Sequence, residues 1–335
     1  MLVFCTLFDS FYLTKGLAMY RSLEKNCSSF HLYIFAFDDQ SHAVLKNLAL
    51  KYATIVSLSE FEDKELLTVK PGRSKAEYCW TCTSSTILYI IEKFKVTSCT
   101  YLDADMYFYR DPKVLFEEMG QRSVLITEHR YPAAFDRSSS SGKYCVQFIT
   151  FRNDENGMKA LKWWRNACIE WCYDRYEDGK FGDQKYLDDW TTRFSGVHVL
   201  QHPGGGVAAW NVEQYRFVSR KDDMVLLSDK KSGYQFEVVF FHFHHVRFFL
   251  NDLVDLGWRE PANSIVLNLY APYFIELANA EKSIKAIDSN FNIPLKPYSV
   301  LNNAGVRGMI KYLIKVVFRY SLYNSKKLIA KYRGE

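Results

Sequence analysis

The first 105 residues alternate between two hydrophobic periodicities, and this limits the chain to a small set of folds. Residues 2–8 (LVFCTLF) form an apolar run of strand length, and residues 14–26 place Leu17, Tyr20 and Leu23 at helical intervals. A second strand over 31–39 ends in acid, a second helix follows over 43–52, and a short strand covers 53–58. After a turn at Pro71-Gly72, residues 80–94 read as a helix, and 98–109 (SCTYLDADMYFY) as a β-rich run. Strand, helix, strand, helix in this order predicts a parallel α/β sheet.

Farther along, 123–130 (SVLITEHR) reads as a strand and 129–143 as a mobile polar loop around Ser138 to Ser141. Residues 144–153 (YCVQFITFRN) read as a return strand before a Trp-rich helix over 159–175. KFGDQKYLDDW (180–190) opens a helix, EVVFFHFHHVRF (237–248) is a strand, and 267–287 is helical. A Pro-bounded linker at 292–299 leads to a basic tail.

With 335 residues, 48% hydrophobic and 24% charged, the chain can bury a large core without disulfides. The eight cysteines (Cys5, Cys27, Cys79, Cys82, Cys99, Cys145, Cys168 and Cys172) scatter through strands and helices, and read as reduced and buried. Cys79 and Cys82 have the spacing of a zinc or redox pair, but no second pair completes a ribbon. Apolar strand sequence begins at residue 2, leaving no room for a leader, and no apolar stretch reaches the roughly 18 residues of a membrane span. These features predict a cytoplasmic protein.

Asp103 and Asp105 stand two apart at the end of the 98–109 run, so on a strand their carboxylates share a face and can meet one ion. A hard cation such as Mn²⁺ or Mg²⁺ takes such oxygens and completes its shell with substrate phosphates. A solvated strand-end turn accounts for the same residues. The carboxyl end of a strand is, however, where open α/β sheets bind ligands.

Four segments in order, TLFDSFYLTKGLAMYRSL (6–23), TYLDADMYFYRDP (100–112), FGDQKYLDDW (181–190) and HFHH (242–245), resemble GT-A glycosyltransferases. The resemblance is nearest to the family-8 group that includes glycogenin and bacterial lipooligosaccharide galactosyltransferases, and it covers about the first 250 residues. It implies an α/β GT-A nucleotide-diphospho-sugar transferase fold, a Rossmann-like mixed sheet with a C-terminal helical extension.

The resemblance also implies roles. Asp103 and Asp105 would bind Mn²⁺ (or Mg²⁺), with His242 as a further ligand and His244, two along on the same strand face, as another candidate. His245 stands where the family has Gly. Asp9 would contact the base or ribose, or else cap a helix. Tyr12 would stack on the base or simply pack. Arg73 and Lys75 would face phosphate or the donor sugar, or remain solvated. Ala104 belongs to the donor-binding triplet. Glu128 would meet sugar hydroxyls or water. Asp183 and Gln184 match the family's Asp-Gln pair beside the donor sugar, where Asp183 bonds hydroxyls and Gln184 faces the cationic transition state; Asp183 also suits a helix cap. The run around Gly205 allows close approach of backbone to ligand, and Trp210 offers a sugar-stacking face or a core ring. Tyr144 to Phe148 depart from the family's Asn-x-Gly segment, which leaves donor and stereochemistry open.

Arg307, Lys311, Lys315 and Arg319 recur every four residues beside Met309, Ile310, Leu313, Ile314, Val317 and Phe318, the pattern of an interfacial helix or of a packed helix with a solvated face. Residues 305–335 carry eight cations against Glu335 alone, leaving about −2 for all that precedes, so nucleic acid is not the expected partner. The expected organisation is a GT-A domain over 1–258, a helical segment and linker over 259–300, and a basic membrane-association tail over 301–335. The expected reaction moves a hexose such as galactose or glucose from a UDP-sugar to a saccharide acceptor. That acceptor is expected to be lipid-linked, in bacterial surface-polysaccharide synthesis at the inner face of the cell membrane. By resemblance the reaction retains anomeric configuration. An inverting transferase, or a nucleotidyltransferase or phosphohydrolase using the same acids, remains the alternative.

Overall fold

The computed structural model describes residues 1–257, 259–292, 295, 310, 313–318 and 320–335. Arg307, Lys311 and Arg319 of the basic stripe lie outside these residues.

The alternation read from the sequence forms as expected in the first hundred residues. Strands β1 (Leu2–Phe8), β2 (Phe30–Ala36), β3 (Ala53–Ser57) and β4 (Ser98–Leu102) are parallel, in the order β3-β2-β1-β4. Their crossovers run through the helices Leu13–Asn26, Asp39–Leu48 and Lys75–Phe94. The last begins at a reciprocal cap, in which the Ser74 side chain accepts from Glu77 N–H and Glu77 accepts from Ser74 N–H.

Successive residues of β1 serve opposite faces of the sheet, as the pleat demands. Phe4 and Phe8 join Leu17, Leu23 and Leu32 on one side, while Cys5 and Leu7 join Ile87, Ile90 and Phe35 on the other. Both faces are covered, which is why these strands read as continuous apolar runs. All eight cysteines are free, and all but Cys79 are buried.

The run 98–109 is broken by its own acids. β4 stops at Leu102, the chain turns through Asp103, Ala104 and Asp105, and β5 (Met106–Phe108) belongs to another sheet. Sharing one strand face is therefore not what brings the two carboxylates together. A tight turn is, closed by Met106 N–H donating to the Asp103 carbonyl at 3.3 Å.

The large sheet continues through β6 (Val124–Glu128), β7 (Tyr144–Arg152) and β8 (Val197–Val199), in the order β4-β7-β6-β8. β7 runs antiparallel to both neighbours, so the sheet is mixed. Because it is reversed, its first residues, Tyr144 to Gln147, lie at the same edge as the carboxyl ends of β1, β4 and β6.

The second sheet pairs β5 with β13 (Phe240–His242) and β13 with β9 (Gly205–Ala208). Between β9 and β13, a meander of β10 (Tyr215–Lys221), β11 (Met224–Asp229) and β12 (Gln235–Glu237) forms a third sheet. The expected strand over 237–248 is accordingly short. It ends at His242, and His245 adopts φ 69°, turning the chain before β14 (Arg247–Phe248).

β14 pairs with β15 (Leu253–Asp255), which pairs with β16 (Leu322–Asn324), so the C-terminal stretch is stitched into the body. The helix Ser325–Arg333 turns Leu328 and Ile329 against a core of Tyr270, Tyr273 and Val254, leaving Lys326, Lys327, Lys331 and Arg333 exposed. Lys315 is buried and bonded to Asp255 at 2.7 Å, so this member of the stripe is not presented outward. Among the described residues, no helix is long and apolar enough to cross a membrane.

Candidate active site

The turn after β4 meets the end of β13 at the carboxyl edge of the large sheet. Phe243 N–H donates to the Asp105 carbonyl at 2.9 Å, and Asp103 N–H donates to the Gln147 carbonyl at 3.0 Å. These backbone bonds fix where the side chains point. His242 Nε2 stands 2.9 Å from Asp105 Oδ1 and 3.7 Å from Asp103 Oδ2. Its Nδ1 lies 2.8 Å from Gln147 Oε1.

The electrostatics are those of a compact charge cluster. Burial alone would raise the Asp105 carboxyl, but the His242 charge and hydrogen bond, with Lys15 behind them, outweigh it and hold Asp105 well below the usual range. Burial works against the His242 imidazolium, yet Asp105 and then Asp103 lift its pKa above the ordinary value. Asp103 moves upward through burial and the nearby Asp105 charge, against the pull of His242. Its side chain keeps 30% exposure, which makes burial weaker there than in an enclosed carboxyl.

Lys15 brings a second cation. Its Nζ lies 3.6 Å from Asp105 Oδ2 and 4.2 Å from the centre of the Tyr12 ring. The Tyr12 phenol is raised by burial and then by the charges of Asp105, Asp103 and Asp9. Asp9 follows β1 and accepts from Phe11 N–H at 3.1 Å, capping the short helical turn Ser10–Tyr12.

The expected sugar-side pair is divided in behaviour. Asp183 is 7% exposed, and its carboxyl is pushed up to about 7 by burial, then by the Asp103 charge, against a hydrogen bond from Thr83. Its backbone carbonyl accepts from Trp164 Nε1 at 2.8 Å. Gln184 donates through Nε2 to the Ser141 carbonyl at 2.6 Å, tying it to the 138–142 turn.

Trp210 stands across the site. Its Nε1 donates to the His129 carbonyl at 2.8 Å, and its ring edge meets His242 at 5.1 Å and His244 at 5.7 Å between centroids. His244 lies past the end of β13, exposed, with its ring against His245 at 3.9 Å. Its ring also meets His242 edge-on, at 5.7 Å between centroids.

The remaining candidates have surroundings of their own. Arg73 lies over the Tyr173 ring at 3.8 Å and bonds the Ile169 carbonyl at 3.2 Å. Lys75 is exposed at the start of its helix. Glu128 pairs with Lys143 at 3.0 Å. Gly205 faces the core: a Cβ there would lie 2.5 Å from Leu200 Cδ2 and 2.7 Å from Leu115 Cδ2, so a side chain there would have to displace two buried leucines.

Two residues of the cluster, Gln147 and Lys15, were not singled out in the sequence. Gln147 is the lone amide in the apolar run 144–149, and such a residue needs a buried partner. Lys15 is a cation among Leu13, Thr14, Gly16 and Leu17, all buried. Both signals are visible, but neither names a partner.

Two carboxylates and one imidazole form a donor set suited to Mn²⁺. Among the described residues, no three His, Cys, Asp or Glu side chains stand as a ready-made cage. Asp103, Asp105 and His242 instead converge on one another, with both carboxylates within 3.7 Å of His242 Nε2. These oxygens and that nitrogen fit a divalent ion, which binds Nε2 only when it carries no proton.

No protein-family profile matches the chain. It is 29% identical to the uncharacterized protein YfnD of Bacillus subtilis (strain 168) over 297 residues, covering 86% of this chain and 91% of YfnD. It is 28% identical to YfnF of the same organism over 298 residues, covering 86% and 96%. The apo structure of the bifunctional glycosyltransferase WbbM superposes with a TM-score of 0.50 at 11% identity, covering 86% of this chain and 51% of WbbM. The chain thus spans about half of WbbM. With the mixed sheet described above, this likeness gives the chain the GT-A fold.

Proposed function

We propose that this chain is a glycosyltransferase that moves a hexosyl group from a UDP-sugar to a saccharide acceptor. Asp103, Asp105 and His242 would hold Mn²⁺ or Mg²⁺ against the donor diphosphate. The observation that carries this reading is the meeting of two carboxylates, Asp103 and Asp105, within 3.7 Å of His242 Nε2 at the carboxyl edge of a GT-A sheet. A bound divalent ion would neutralise the charge gathering on the diphosphate as the sugar departs.

The remaining roles follow from chemistry within reach. Lys15 offers a second positive charge to the diphosphate, and Asp9 and Tyr12 line the nucleotide side. Asp183, with its raised pKa, can donate as well as accept a hydrogen bond at a sugar hydroxyl. Gln184 is anchored through its nitrogen, and its oxygen is the end that would face positive charge at the anomeric carbon. Trp210 supplies an aromatic face to the sugar or acceptor.

Retention of configuration rests on the family-8 resemblance, and so does a lipid-linked acceptor in bacterial surface-polysaccharide synthesis. The exposed cations of Ser325–Arg333 support a membrane-facing location, at about 1 kcal/mol for each cation near an anionic surface.

Equilibrium binding of UDP, with Mn²⁺ present or chelated, tests the donor side. Metal-dependent UDP binding supports the reading, and equal binding without metal contradicts it. Release of pyrophosphate or phosphate during turnover would transfer the same acids to a nucleotidyltransferase or phosphohydrolase.

A further inference from the structure

Gln147 is fully buried on β7, where an amide costs desolvation unless both its ends are bonded. One end lies 2.8 Å from His242 Nδ1 and the other 3.5 Å from Thr127 Oγ1. The Thr127 hydroxyl spends its single proton on the Cys145 carbonyl at 3.1 Å. Toward Gln147 it therefore offers only lone pairs. The amide nitrogen must face Thr127, and the amide oxygen must face His242. An oxygen at that place can only accept, so His242 carries a proton on Nδ1, and Nε2 is the nitrogen left to face Asp105 and Asp103.

We infer that Thr127 and Gln147 form a positioning relay that fixes the tautomer and ring plane of His242, dedicating Nε2 to a divalent cation. The inference rests on the metal site proposed above. Gln147 also sets the other side of that site, because its carbonyl holds the Asp103 N–H. One residue of β7 thereby ties together a ligand from β13 and a ligand from the turn after β4. The Trp210 ring, at 81° to the imidazole, closes the flank that Gln147 does not. Without the amide oxygen, a neutral imidazole is free to place its proton on Nε2 and lose its ligand character. Gln147 and Thr127 act through His242 and are positioning residues.

The test is Mn²⁺ binding to the full-length chain, read from the free-ion electron paramagnetic resonance signal, with thermal unfolding as the control for folding. Gln147→Met removes the acceptor at similar volume and should weaken Mn²⁺ binding about 10- to 100-fold. Gln147→Glu keeps an acceptor oxygen and should restore most of that loss. Thr127→Val frees the amide to turn over and should weaken binding by about 10-fold. If Gln147→Met fails to fold, Thr127→Val decides alone, and wild-type affinity in it overturns the relay. Wild-type affinity in Thr127→Val and in a folded Gln147→Met would overturn the relay while leaving the metal site standing. Equal losses in Gln147→Glu and Gln147→Met would overturn the tautomer role. Absence of Mn²⁺ binding by the unaltered chain would overturn the metal site, and the relay with it.

Discussion

His242 Nε2 lies 2.9 Å from Asp105 Oδ1, joining the turn that leaves the large sheet to the end of a strand from far later in the chain. The pair is buried, and each partner shifts the other's pKa toward its charged form. Asp105→Asn keeps the shape and removes the charge. It should lower metal-dependent turnover by about 100-fold or more, because metal stabilisation of developing charge is worth several kcal/mol. Initial rates at saturating donor and Mn²⁺ check this, and a loss under threefold contradicts it.

Lys15 shares Asp105 with His242 but should act on the nucleotide rather than the metal. Lys15→Met removes a cation from the diphosphate side and a competing charge from beside the ligands. The donor KM should rise about tenfold, the scale of one charge-assisted hydrogen bond, while Mn²⁺ affinity does not fall. Parallel titrations with donor and with Mn²⁺ separate the two effects.

Sequence and structure agree most where one rule acts alone. The alternation of β1 to β4 with helices was legible because strands buried on both faces read as apolar runs. The acids at Asp103 and Asp105 were legible as a pair, but the reason for their meeting was not. Strand periodicity put them on one face, whereas the chain changes sheets between them. The expected strand over 237–248 breaks for a similar reason, since the φ of 69° at His245 belongs to a turn that a run of β-formers does not announce. Gln147 shows the limit of local reading, because its partners come from β6 and β13 and only the assembled sheet brings them within reach.

Gly205 separates packing from ligand approach. Gly205→Ala would drive a methyl against Leu200 and Leu115 and should cost about 1–3 kcal/mol of stability. Denaturant unfolding measures that cost. The donor KM of the folded variant should stay unchanged, and a rise would return Gly205 to the donor site.

Asp38 gives a pH-dependent contribution to stability. Burial pushes its carboxyl up, but bonds from Ser10 Oγ and N–H (2.6 and 2.9 Å) and Ser41 N–H (2.7 Å) hold it below the ordinary value. A depressed pKa in the folded state means the stabilisation is full above the unfolded value of about 4 and is lost as pH falls through the folded one. Asp38→Ala should therefore cost about 1–2 kcal/mol at pH 7, and the gap to wild type should shrink below about pH 4. Urea unfolding of both proteins across that range checks the sign, and a gap that widens in acid contradicts it.

Sugar transfer is read from UDP release with a panel of UDP-sugars and a saccharide acceptor, run with Mn²⁺, with chelator, and with Asp103→Asn. Release is expected from at least one donor with Mn²⁺, and should be lost on chelation and in the variant. No release from any donor, or release indifferent to both metal and Asp103, would contradict metal-dependent sugar transfer.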